Sequence, residues 1–122
     1  MPTILVVEDD PLVLEVVARL VREGGYNTIP ARDGREAWGI VQRGTRPIDL
    51  VLADVVLPHM SGTELTAHLG ANQPELPVIL MSAYAPEDLA RRGLLLSHGH
   101  LLTKPFTPEQ LLDLIRRLIP AE

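Results

Sequence analysis

The chain has 122 residues, a formal net charge of −5, 46% hydrophobic and 22% charged residues, and no cysteine. That length suits a single domain spanning residues 1–122, which can bury roughly two-thirds of the surface its unfolded chain exposes. The missing cysteine excludes disulfides, thiolate nucleophiles and cysteine-ligated zinc.

The acidic balance, with arginines that cluster no further than the pairs Arg91-Arg92 and Arg116-Arg117, argues against direct nucleic-acid binding. No apolar run nears the roughly 20 residues of a membrane span, and no basic segment with a long apolar run opens the chain. A soluble, cytoplasmic protein without membrane insertion is expected. Of the eleven basic residues, only Lys104 is a lysine.

In chain order, Thr3–Val7 is a nearly continuous apolar run that ends in Glu8-Asp9-Asp10. Asp10-Pro11 offers an N-cap and a first-turn proline, and Val13, Val16, Val17 and Leu20 follow at helical spacing. Asn27–Ala31 contains Pro30, which cannot donate to a ladder and so suits an edge strand. Asp33 with Glu36, Ser61 with Glu64 and Thr107 with Gln110 read as capping boxes opening three more helices. Between them lie Leu50–Ala53, ending in Asp54, and Val78–Met81, ending in Ser82-Ala83. Pro86 opens a short fourth helix that Gly93 closes, and a loop follows over Ser97-His98-Gly99-His100. Leu101–Thr103 leads into Lys104-Pro105, and the last helix carries Leu111, Leu112, Ile115, Leu118 and Ile119 on one stripe.

Continuous rather than alternating apolar runs are the mark of parallel strands buried on both faces. Strand then helix, five times over, predicts an α/β fold: a doubly wound parallel sheet with right-handed crossovers and helices on both faces. Ligands of such sheets bind outside the carboxyl ends of the strands. Glu8, Asp9, Asp54, Ser82 and Lys104 are predicted on that one rim. Carboxylates gathered there repel one another unless a cation joins them. Mg²⁺, held by one or two carboxylates with carbonyl and water oxygens, is the natural partner. A carboxylate beside Mg²⁺ and a lysine is also a plausible nucleophile toward a phosphoryl group.

Four motifs in order carry a family resemblance: the acidic pair Glu8-Asp9, the stretch from Asp54 to Gly62, Ser82-Ala83 and Lys104-Pro105-Phe106. The sequence resembles a response-regulator receiver domain of two-component signalling from Ile4 to Leu118. The resemblance implies a flavodoxin-like sheet of order 2-1-3-4-5. It implies that Asp54 accepts a phosphoryl group from a phosphohistidine on a sensor histidine kinase or histidine phosphotransfer protein. Asp9, Asp54 and the Val56 backbone carbonyl would bind Mg²⁺, with Glu8 acting mainly through a water. Lys104 would pair with Asp54 and then with the phosphoryl oxygens. Ser82 would turn its hydroxyl onto that group, altering the face of helix four, strand five and helix five, through which a homodimer could also form. The family also commonly has a cis peptide before the proline of Lys104-Pro105. Such a chain catalyses its own phosphorylation and slow dephosphorylation and is not a turnover enzyme.

Departures from the family pattern are informative. The switch position three residues before Lys104, usually aromatic, is Leu101. Met81-Ser82-Ala83-Tyr84, with a Gly93–Phe106 segment lacking the common Gly-Ala-Asp turn, resembles receivers of hybrid sensor kinases. Leu101 alone favours an alternative, a receiver-like interaction module acting without phosphorylation. An aspartyl-phosphate phosphatase is disfavoured because Val56 stands where such enzymes carry a second carboxylate.

Plainer roles compete elsewhere. Asp10, Asp33 and Ser61 are better helix caps than ligands. His59, His68, His98 and His100 read as polar histidines, since no acid or cysteine at ligand spacing joins them. Leu94-Leu95-Leu96 reads as core with an exposed rim, and Trp38 and Tyr26 as packing residues.

Overall fold

Along the first strand, β1 (Thr3–Val7), alternate side chains face opposite helical layers. Leu5 and Val7 meet one core, Ile4 and Val6 the other, and all four are fully buried. Each such side chain contributes roughly 1.5–3 kcal/mol when removed from water, so an apolar run facing two layers favours a central strand. The computed structural model describes residues 1–93 and 99–119. The Leu94-Leu95-Leu96 run, Ser97 and His98 lie outside the described residues.

The other strands are β2 (Asn27–Ala31), β3 (Leu50–Asp54), β4 (Val78–Ser82) and β5 (His100–Thr103). All pair in parallel in the order β2-β1-β3-β4-β5, the doubly wound arrangement expected. Pro30 lies in β2, at the sheet edge, as its missing N–H predicts. Five helices alternate with the strands: α1 (Pro11–Glu23), α2 (Gly34–Arg43), α3 (Gly62–Asn72), α4 (Pro86–Arg91) and α5 (Pro108–Leu118). Ala37 and Val41 of α2, Leu65 and Leu69 of α3 and Leu89 of α4 cover one face. Val17 and Val21 of α1 cover the other with Leu111 and Ile115 of α5. No helix among the described residues is long and apolar enough to cross a membrane.

Local signals hold with corrections. Asp10 caps α1 by accepting from the Leu12 and Val13 amides at 2.9 and 3.4 Å. Val16 does not join the buried stripe: it is 59% exposed, because α1 rests on Val17, Ala18 and Val21. Of the three capping boxes, only Thr107 with Gln110 is reciprocal, at 2.8 and 3.1 Å. Asp33 and Ser61 cap their helices, but Glu36 faces the Arg32 amide and Glu64 accepts from the Ser61 hydroxyl instead. Both β3 and β4 run one residue further than expected, so Asp54 and Ser82 end the strands themselves. The Lys104–Pro105 peptide is cis.

Candidate functional site

Register and alternation assemble the rim. Val7 of β1 pairs with Ala53 of β3, so the next residue on each strand, Glu8 and Asp54, become neighbours. Both continue the side of the sheet already taken by Val6 and Leu52, so they point the same way. Ser82 pairs with Thr103, and Lys104 follows directly, its amide donating to the Ser82 carbonyl at 2.7 Å. The first residue of α3, Gly62, lies so close to the Asp54 carbonyl that a side chain there has no room.

Lys104 Nζ donates to Asp54 Oδ2 at 2.7 Å. The other oxygen, Asp54 Oδ1, accepts from the Val56 amide at 3.0 Å. Glu8 is only 3% exposed. Its Oε1 accepts from the Asp10 amide at 3.2 Å, while Oε2 is buried without a partner. Asp9, one residue on, points to solvent.

Burial pushes the Glu8 carboxyl up to about 8. The neighbouring Asp54 and Asp9 carboxylates add to this, while the Asp10 amide opposes it. Glu8 is therefore held largely protonated at neutral pH, mainly because it is buried, while the Lys104 ammonium is taken up by Asp54.

These groups open into a cavity of about 440 Å³, walled by Glu8, Asp9, Asp54, Val56, Ser82 and Lys104. Every expected site residue except Leu101 is on that wall. Asp10 both caps α1 and joins the wall, which Val13 and Tyr84 also line. Val13 shows in the sequence only as one apolar residue of a helical pattern, so nothing there marks it for the cavity. Leu101 is half-buried and packs against the first core with Tyr84. Ser82 Oγ is bonded to the Tyr84 main chain rather than to Asp54. A larger cleft of about 560 Å³ lies at the opposite end of the sheet, beside Asp49, Glu75 and Leu118, and gathers no such carboxylate and lysine group.

The donor set fits a hard divalent cation. An orphaned buried Glu8 oxygen, an adjacent Asp54 and an open Asp9 offer oxygen ligands only. Among the described residues, no three acids or histidines suffice to hold an ion by themselves. Mg²⁺ takes only one or two carboxylates and fills its shell with waters and other oxygens. Among the described residues, no histidine lines this cavity: His68 packs on Trp38 with ring centroids 5.4 Å apart, and His100 begins β5.

One residue of the rim is strained. His59 has φ 67° and sits at the centre of a tight turn closed by the Met60 amide on the Pro58 carbonyl at 2.7 Å. Since a side chain in that region costs about 1 kcal/mol, His59→Gly is expected to stabilise the fold by about that amount. Urea unfolding checks this, and an unchanged or lowered midpoint contradicts it.

Comparison with known proteins decides the family. The family model for the response regulator receiver domain matches residues 4–116. The chain belongs to that family. This receiver domain is similar to TcrX of Mycobacterium tuberculosis, described as a probable transcriptional regulatory protein, at 37% identity over 96% of this chain and 49% of TcrX. It spans about half the length of TcrX and of several other regulators it matches, and about a quarter of FleR of Pseudomonas aeruginosa. Among solved structures, the signal receiver domain of a histidine kinase from Syntrophus aciditrophicus is 31% identical, with a TM-score of 0.85 over 97% of this chain and 89% of that one. The Thermotoga maritima response regulator TrrA, solved in complex with Mg²⁺ and BeF, is 26% identical with a TM-score of 0.84 over 98% of this chain and 100% of that one. The receiver thus belongs to two-component signalling, in a family of switches rather than turnover enzymes.

Proposed function

We propose that this receiver, acting as one unit over residues 1–122, is a Mg²⁺-dependent phosphoryl switch in which Asp54 is the acceptor. The observation that carries this is the Asp54 carboxylate, held by Lys104 at 2.7 Å beside an unpartnered, buried Glu8 oxygen. A carboxylate oxygen of Asp54 attacks the phosphorus of a phosphohistidine. The P–N bond breaks, and its electron pair stays on the imidazole of the donor. Asp54, Asp9 and the Val56 carbonyl would hold the ion, with Glu8 reaching it through water. When bound, the ion supplies charge neutralisation for the equatorial phosphoryl oxygens. Lys104 follows its partner, moving from the carboxylate to a phosphoryl oxygen. Ser82 then swings its hydroxyl toward the new anion, biasing the face of α4, β5 and α5.

The partner is a histidine kinase or a histidine phosphotransfer protein. Three exposed apolar side chains support a protein donor: Leu12 at 74% and Val16 at 59%, one turn apart on α1, and Val56 at 57% on the cavity rim. Val13, between the first two, walls the cavity itself.

The test is phosphoryl uptake. Incubation with Mg²⁺ and a phosphohistidine donor or acetyl phosphate is expected to add one acid-labile phosphoryl group, read by intact mass, and none to Asp54→Asn. Uptake by Asp54→Asn at the native rate would show that the acceptor lies elsewhere.

Lifetime gives a further expected result. Val56 is apolar and cannot orient an attacking water, and Tyr84 walls the same cavity. Val56→Asn is therefore expected to lose its phosphoryl group about tenfold faster than the native chain, since positioning one water by a hydrogen bond is worth about that much. Equal or slower loss contradicts the role given to Val56.

A further inference from the structure

Ser82 is 1% exposed, and its one hydroxyl proton is already committed. It donates to the Tyr84 carbonyl and accepts from the Tyr84 amide, each at 2.9 Å. The Tyr84 ring lies half-buried against the first core, and the Arg92 guanidinium carbon stands 4.1 Å from its centroid. The Arg92 amide in turn closes the end of α4 on the Asp88 and Leu89 carbonyls, at 3.1 and 3.2 Å. A continuous set of contacts therefore runs from the Ser82 oxygen through the Tyr84 main chain and ring to the last turn of α4.

A serine hydroxyl has one proton. It cannot donate to a phosphoryl oxygen on Asp54 and to the Tyr84 carbonyl together. Any Ser82 that serves the phosphoryl group releases Tyr84, whose carbonyl must find another partner. Leu101 on β5 has no polar group that senses this exchange; it is an aliphatic side chain packed on the core.

We propose that Tyr84 and Arg92 are positioning residues that relay the state of Ser82 to α4. This rests on the reading of Asp54 as phosphoryl acceptor. With Ser82 bonded to Tyr84, the cation over the ring holds the α4 end in place. With Ser82 turned to the phosphoryl group, the Tyr84 ring shifts and α4 moves with Arg92 or loses its anchor. The change thus reaches the α4 part of the face of α4, β5 and α5 through a ring and a guanidinium rather than through β5.

The test is amide NMR of the whole chain with Mg²⁺, before and after adding beryllofluoride, which mimics the phosphoryl group. In the native chain, resonances of Val55 and Val56 at the cavity and of Leu89, Ala90 and Arg92 on α4 are expected to shift. Arg92→Gln is expected to keep the cavity shifts and phosphoryl uptake but lose the α4 shifts. Tyr84→Leu loses the α4 shifts too, Tyr84→Phe restores them, and Leu101→Val leaves them in place. A full α4 response in Arg92→Gln, or its loss in Leu101→Val, overturns the relay. Absence of cavity shifts in the native chain overturns the acceptor site and the relay with it.

Discussion

Lys104→Met is expected to slow Mg²⁺-dependent phosphoryl uptake by about 100-fold or more, the scale at which removal of one preorganised charge from a transition state is felt. Lys104 is the only lysine of the chain, and its ammonium sits 2.7 Å from Asp54. Side-chain exposure of 31% for Lys104 and 13% for Asp54 keeps the pair partly screened from water. Methionine keeps the length of the stem but no charge, so the packing survives while the phosphoryl oxygens lose a counter-ion. A factor of 100 corresponds to about 2.7 kcal/mol of barrier. Lys104→Arg is not expected to rescue, since a planar fork does not occupy the place of a compact ammonium. Rates of incorporation from acetyl phosphate measure both variants. A Lys104→Met rate within a few-fold of native would remove Lys104 from the chemistry.

The second large effect concerns Glu8 and acidity. In the unfolded chain this carboxyl has its ordinary value of 4.5, whereas burial beside Asp54 raises it to about 8 in the folded protein. Between those values the folded state keeps a proton that the unfolded chain has released. Stability without Mg²⁺ therefore falls as pH rises across that window, by up to about 1.4 kcal/mol per unit. Glu8→Gln carries no titrating group and is expected to be flat by comparison, overtaking the native chain toward alkaline pH. Mg²⁺ acts in the opposite direction: it favours the ionised carboxyl, so it stabilises the native chain more at high pH than at low. Glu8→Gln loses that pH-dependent part. Urea unfolding with and without Mg²⁺ across the window checks both signs. A native stability that rises through the window without Mg²⁺, or equal Mg²⁺ stabilisation of both chains at high pH, contradicts the assignment.

Much of this was readable from residue types in order. Continuous apolar runs made the strands central, Pro30 put β2 at the edge, and four separated motifs converged because parallel strands deliver their ends to one rim. The family resemblance gave Glu8 and Asp9 different roles toward Mg²⁺, but residue types alone did not say which of the two is buried. Only the strand alternation, carried one residue past Val7, turns Glu8 inward beside Asp54 and leaves Asp9 in solvent. Val16 shows the same limit on a helix: spacing names a face but not how wide a strip the sheet covers. The two half-formed capping boxes turn on rotamers of Glu36 and Glu64, which have several acceptable partners at a helix start. Arg92 over Tyr84 depends on where a short helix ends, and no residue pattern announces it.

The phosphoryl group is expected on Asp54. Borohydride reduction of the phosphorylated chain, followed by peptide mapping, tests it most directly, because reduction converts an aspartyl phosphate to homoserine and marks the residue that carried it. Homoserine is expected at position 54 and nowhere else, formed only when Mg²⁺ was present. Homoserine at position 9, or a phosphorylated chain with aspartate intact at position 54, would contradict it.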